Sequence, residues 1–421
     1  VAPGAGDRLP EGPLIAWYGD DFTGAAAVME VLTFAGLPSV LFLETPTPER
    51  LSRFPGLRGV GIATTARAET PAWMSAELPD AFARLAALGA PLLHYKVCST
   101  LDSAPEIGSI GRAIEIGAET FSTGVVPVVV AAPEMRRFQF QGHLLAGLGD
   151  AVYRLDRHPV MSRHPVTPMN ESDVALHISR QSDRIVPALL SLDALRAGSP
   201  LPKGSDNRIT VCAIDTIDRS TDAAAGRVIW EARDRSPFVV GSQGVEYALV
   251  EHWRETGALD RIAPPKGIGR SDRMMSVSGS VSPTTADQIA WSKANGFASI
   301  EFDATQVCEG DDAVAREIAR TVETSLKAIS AGLDPLVHTA EGPDDPAVVR
   351  FREAVAESGI DMNAANQLVG ESLGQVLHAV LDKTGIRRAV VSGGDTSGHA
   401  TRQLGIFALS ALAPTIAGAS V

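Results

Sequence analysis

The run Val390-Val391-Ser392-Gly393-Gly394-Asp395-Thr396-Ser397-Gly398, with the few residues before it, sets the architecture. Arg388 to Val391 has the character of a buried strand. It breaks into two glycines, an acid and two hydroxyls, and a helical run begins near His399. A strand, a Gly-rich turn and a helix N-terminus together form an anion site. Glycines let the backbone approach a phosphate, and the free N–H groups of the helix start point at it. Asp395 is placed to hold a Mg²⁺ that bridges phosphates, because hard cations take oxygen ligands. The same residues also suit an ordinary strand-to-helix turn with Thr396 as its N-cap.

The unit recurs outward from this stretch. Leu14 to Tyr18 reads as a strand, followed by Gly19-Asp20-Asp21-Phe22-Thr23-Gly24 and a helix from Ala25 to Phe34. Further strands are expected at Ser39–Leu43, Gly59–Thr64, Leu92–Lys96, Val125–Ala131, Ile209–Ile214 and Phe238–Val240. In the second half, strands at Met274–Val277, Ala298–Phe302 and Pro335–Thr339 alternate with helices, among them Asp311 to about Ser330. This alternation predicts an α/β protein of two α/β domains, each with a mainly parallel sheet flanked by helices. Gly257 to Arg273 holds three Gly, two Pro and mixed charge without an apolar period, so it is expected to link residues 1–256 to residues 274–421.

The bulk properties narrow the function. A chain of 421 residues is long enough for two or three domains. A net charge of −13 argues against nucleic acid or an anionic membrane as the main partner. Cys98, Cys212 and Cys308 match no metal spacing and fit a reducing cytoplasm. No apolar run approaches the roughly 20 residues of a membrane span. A homodimer is an expectation without a sequence feature behind it.

Open α/β sheets bind ligands at the carboxyl ends of their strands, and the polar residues gather there. Asp20 and Asp21 are adjacent like charges, suited to binding a cation, accepting substrate hydroxyls or, for one of them, capping the helix. Arg67, just past a strand, suits a carboxylate or phosphate clamp. Lys96 is placed to neutralise an acid substrate, and Asp102 to accept a hydroxyl proton or fix Lys96. Cys98 is expected to be filler, because a catalytic thiolate needs a positioned base. Pro133 to Asn170, with Arg136, Arg137 and several histidines, lacks clean periodicity and is expected to be a long functional loop. Pro79 is expected to kink or split the helix that Thr70-Pro71 opens.

Three stretches stand together: Gly19-Asp20-Asp21-Phe22-Thr23-Gly24-Ala25, Tyr95-Lys96-Val97-Cys98-Ser99-Thr100-Leu101-Asp102-Ser103 and Ser392 to Gly398. In this order the chain resembles the four-carbon acid sugar kinase family, whose members phosphorylate threonate, erythronate or 3-oxo-tetronate with ATP. The resemblance extends to His164-Pro165-Val166-Thr167-Pro168-Met169 and Ser278-Gly279-Ser280. It implies a sugar-acid-binding N-terminal domain, a nucleotide-binding C-terminal domain and an active site in the interdomain cleft. It implies that Asp20, Asp21, Arg67, Lys96 and Asp102 line the acid site. Ser280, Gly393, Gly394, Asp395 and Thr396 would hold ATP, with Mg²⁺ at Asp395 and either Asp21 or Asp395 as the base. Family members continue with a further Lys- and Gly-rich turn beyond the position of Val421, and the stretch Pro133 to Gly149 departs from the familiar form. The form Cys98 to Ser103 leans towards the 3-oxo-tetronate branch. Two rival functions use the same residues: a lyase or aldolase with Lys96 as a Schiff-base amine, and a nucleotide-binding protein without turnover.

Overall fold

A computed structural model describes residues 8–164, 166–205, 207–263, 265–267 and 269–414. Contacts divide the chain at Gly269. The first unit holds what precedes it and resumes at Ala408; the second is Gly269–Phe407. The first unit runs β1 (Ile15–Gly19), α1 (Phe22–Phe34), β2 (Ser39–Phe42), α2 (Pro48–Ser52), β3 (Gly59–Ala63), α3 (Pro71–Ala86), β4 (Leu92–Lys96), α4 (Ile110–Thr120) and β5 (Val125–Val129). It continues with β6 (Arg137–Phe140), β7 (His143–Leu148), β8 (Ala151–Arg154), α5 (Val174–Ser179), β9 (Ile185–Leu190), α6 (Leu192–Arg196), β10 (Ile209–Ile214), α7 (Arg219–Ala232), β11 (Phe238–Gly241) and α8 (Gly244–Glu255). The second unit holds β12 (Met275–Ser278), α9 (Pro283–Ala294), β13 (Phe297–Glu301), α10 (Asp311–Ser330), β14 (Asp334–His338), α11 (Pro346–Ser358), α12 (Met362–Thr384), β15 (Ala389–Ser392) and α13 (Gly394–Gln403). β16 (Ala408–Leu409) then returns to the first unit.

The large sheet has the order β16-β2-β3-β1-β4-β11-β5-β10-β9, parallel except for the antiparallel β16. The strands between its two edges, β16 and β9, are buried on both faces and therefore read as continuous apolar runs. Ile15 and Trp17 of β1 point into one core with Leu41, Val239 and Trp253; Ala16 and Tyr18 point into the other with Phe82, Tyr95 and Phe238. The register is level: Gly19 pairs with Ala63 and Lys96, Lys96 with Gly241, and Gly241 with Val129. Every loop leaving these strands therefore starts from one row.

The small sheet of the second unit, β13-β14-β12-β15, is parallel throughout. Both units are thus α/β with helices packed on parallel sheets, as the alternation predicts. β15 is an edge strand of this sheet rather than a buried one, and Val390 is 43% exposed.

Several expectations need correction. α3 runs unbroken through Pro79, which faces solvent while Met74, Leu78, Phe82 and Leu85 hold the opposite face to the core. Pro127 sits in a central strand, where the ladder to β11 begins only at Val128. The stretch expected as a long loop contains a three-stranded antiparallel sheet, β6-β7-β8. Its first turn is the pair Gln141-Gly142, with φ of +50° and +80°, which is the backbone of a two-residue hairpin loop. α13 begins at Gly394 with Gly393 as N-cap, so Thr396 lies inside the first turn and does not cap it. Residues 408 onward were expected in the second domain, but Ala408 and Leu409 pair with Phe42 and Leu41 of β2.

Candidate active site

The row of strand ends in the first unit brings together the residues singled out from the sequence. Asp20 follows β1, and its backbone N–H donates to Lys96 O at 3.0 Å. Its side chain is buried and takes two bonds from one guanidinium, Arg67 Nη2 at 2.7 Å and Nε at 3.2 Å. The same Nη2 reaches Asp21 Oδ1 at 2.8 Å. Asp21 is also the N-cap of α1, where Oδ1 accepts from Gly24 N–H at 3.0 Å. One oxygen of Asp21 is thus fixed twice, and no described group bonds Oδ2.

Gly24 completes this corner by what it lacks. A Cβ there would lie 2.4 Å from Asp21 Oδ1 and 2.5 Å from Lys96 Nζ, so both charged atoms converge over its Cα. Lys96 is 1% exposed and donates to Val97 O at 2.7 Å. It is not held by Asp102, as one expectation had it. Asp102 instead accepts from Thr100 Oγ1 at 2.9 Å, and Thr100 Oγ1 meets Cys98 Sγ at 2.9 Å. The loop turns at Leu101, whose φ of +54° is unusual for a bulky residue. Ser103 holds that turn, donating to Leu101 O at 2.9 Å and meeting His177 Nε2 at 3.0 Å.

Electrostatics follow from burial. Burial pushes the Asp20 carboxyl up to about 6, against the pull of Arg67, and the neighbouring Asp21 adds to the rise. Arg67 loses solvation, yet Asp20, Cys98 and Asp21 keep it firmly charged. Burial also raises the Cys98 thiol despite Arg67, which agrees with its reading as filler. His177 is pushed down to about 4 by burial and is neutral. Lys96 is sealed against the Val97 carbonyl, which is poor access for a Schiff-base amine.

In the second unit, two Gly-rich turns leave adjacent strands, β12 and β15, at the same end. Gly279 N–H donates to Ser392 O at 3.1 Å. A Cβ on Gly279 would stand 2.2 Å from Thr396 Oγ1, so the Ser278-Gly279-Ser280 turn and the Gly393–Thr396 turn press directly on each other. Ser280 Oγ meets Thr285 Oγ1 at 2.8 Å in the first turn of α9. Gly393 has φ of +120° and gives α13 no side-chain cap. Two helix N-termini and two Gly-rich turns side by side fit a phosphate chain. The side chain of Asp395, Pro165 and residues 415–421 lie outside the described part of the structure.

The turn after β11 is closed on itself: Ser242 Oγ donates to Val130 O at 2.7 Å and accepts from Gly244 N–H at 3.0 Å. Among the described residues no group of three or more His, Cys, Asp or Glu is arranged to hold a metal, and no helix is long and apolar enough to cross a membrane. Sequence reasoning missed Asp215, at the end of β10. It accepts from Gln141 N–H at 2.8 Å and Gly142 N–H at 3.0 Å, tying the hairpin turn to the large sheet. The Gln-Gly pair was the available signal.

Comparison with known proteins places these features in context. A model of a sugar-binding N-terminal domain matches residues 15–249, and one of a nucleotide-binding C-terminal domain matches residues 275–421. The chain is 45% identical over 412 residues to a 3-oxo-isoapionate kinase of Paraburkholderia graminis, covering 97% of this chain and 87% of that one. It is 27% identical to a 3-oxo-tetronate kinase of Pseudomonas savastanoi pv. phaseolicola, covering 94% and 87%. A Salmonella typhimurium LT2 protein described as a putative tRNA synthase shares the fold, with a TM-score of 0.72 at 24% identity over 94% of this chain and 89% of that one.

Proposed function

This chain belongs to the four-carbon acid sugar kinase family, and we propose that it transfers the γ-phosphoryl group of ATP to a hydroxyl of a 3-oxo sugar acid. A sugar-acid kinase is what the family and its named relatives support. The finer substrate class rests on the two relatives' names, which share a carboxylate and an oxo group at carbon 3.

The observation that carries the division of roles is the Asp20–Arg67–Asp21 bridge. Phosphoryl transfer asks for positioning and charge neutralisation more than covalent help. Arg67 and the Gly24 N–H hold Asp21 Oδ1 and leave Oδ2 for the acceptor hydroxyl. Asp21 thus accepts the proton as the oxygen attacks, and Asp20 positions Arg67. Lys96 Nζ, converging on the same corner, helps Arg67 balance the paired aspartates. In the second unit the paired turns give backbone N–H groups and the hydroxyls of Ser280 and Thr396 to the phosphates. Asp395 is our candidate residue to hold Mg²⁺, a hard cation that takes oxygen ligands and would supply positive charge at the phosphate oxygens.

A coupled ADP-release assay over 3-oxo-isoapionate, 3-oxo-tetronate, threonate and erythronate tests this. We expect a 3-oxo acid to stimulate ADP release most. No stimulation by any of the four acids would refute the reading.

A further inference from the structure

We propose that Arg137 is the anchor for the substrate's carboxylate, a role that the sequence motifs had pointed to Arg67 and Lys96 to fill. The inference rests on the sugar-acid reading above. At the row of strand ends, Arg67 is bridged to both Asp20 and Asp21, and Lys96 is sealed against Val97 O. The two cations already balance the two adjacent carboxylates. An acid substrate entering that corner would meet no spare positive charge, and an uncompensated carboxylate out of water is costly.

Arg137 supplies the missing charge. It opens β6, and its backbone is tied to Ala132, just past β5, by bonds of 2.9 and 3.1 Å. The strands β4 and β5 flank β11, so this lies about two strand spacings, roughly 10 Å, from the exit of β4. Its charge is favoured by Cys98, on the loop that leaves β4. Among the described residues it has no carboxylate partner. Nη1 donates to the backbone oxygens of Met135 at 3.2 Å and Gly147 at 3.3 Å, with a longer contact to Arg136 O at 3.4 Å. Nε is covered by the protein and has no hydrogen-bond partner among the described residues. Nη2 likewise makes no hydrogen bond to a described residue, and it is the end of the fork left to donate to a carboxylate. Burial lowers the affinity of Arg137 for its proton, which a bound anion would reverse.

The neighbouring arginine provides the contrast. Arg136, at φ of +56°, turns its guanidinium onto the backbone oxygens of Gly149 and Ala151, where it braces the β7–β8 turn.

Calorimetric titration of the full-length protein with 3-oxo-isoapionate and 3-oxo-tetronate, without ATP, tests the assignment. Arg137→Gln should weaken acid binding about tenfold to hundredfold, the effect of losing a charge-assisted pair. ATP affinity and Tm should stay as in the wild type. Arg137→Lys should fall between, since it keeps the charge and loses the fork. Arg136→Ala should bind acid like the wild type, and the neutral amide of the acid should not distinguish Arg137→Gln from wild type. Equal acid affinity in wild type and both Arg137 variants, or no acid binding by the wild type, would overturn the assignment. ADP release by the wild type with the same acids reports separately on the kinase reading.

Discussion

Asp20 and Asp21 are adjacent in sequence and opposite in role. Asp20 is sealed and paired; Asp21 is part exposed and half engaged. Asp21→Asn should therefore lower kcat by about 10²–10⁴-fold, the usual contribution of a positioned base. Tm should hardly move, because Asn caps helices as well as Asp does. Steady-state kinetics beside a melting curve checks both halves. Asp20 sets an acid limit. Its carboxyl titrates near 6, and below that pH the neutral acid no longer grips Arg67. Activity should fall through an apparent pKa near 6 on the acid side, and Asp20→Asn should erase that limb along with most activity. The two aspartates were legible as a functional pair because capping needs only one of them. Their division of labour was not, since it depends on Arg67, which lies 46 residues beyond Asp21 in the chain.

At the scale of elements, the strand-to-helix turns carry the function and were the most readable part of the sequence. Short apolar runs ending in glycine and acid mark them, and the level register of a parallel sheet brings them together. The paired turns of the second unit yield a direct test. Gly279→Ala puts a methyl group against Thr396, so KM for ATP should rise at least about tenfold while calorimetric acid binding stays unchanged. The antiparallel β6-β7-β8 sheet was missed because its strands are short and half-exposed, and its glycines suggest a loop as readily as hairpins. Helix α7 holds a different liability. The Asp222 carboxylate is fully buried and has no hydrogen bond of normal geometry, although Thr216 lies beside it. Burial, with Glu134 nearby, lifts it to about 8 from the ordinary 3.8. Between those values the folded chain keeps a proton that the unfolded chain releases, so stability falls as pH rises through that window. Asp222→Asn should remove that slope, raising Tm more at pH 8 than at pH 5; thermal melts at the two values decide it.

At the scale of the whole molecule, the chain leaves the large sheet, builds the second unit and comes back as β16. Periodicity could not show this return, because two residues at a sheet edge carry no pattern of their own. Ending the chain at Phe407 would uncover the edge of β2 and remove Ala411 from the core, so the shortened protein should melt a few degrees lower. The division of labour between an acid-binding unit and a nucleotide-binding unit is the central claim. γ-Labelled ATP incubated with 3-oxo-isoapionate or 3-oxo-tetronate tests it most directly. We expect label on the acid with the wild type, and labelling about 10²–10⁴-fold slower with Asp21→Asn. Label appearing only as inorganic phosphate, or passing to the acid equally well in Asp21→Asn, would contradict the account.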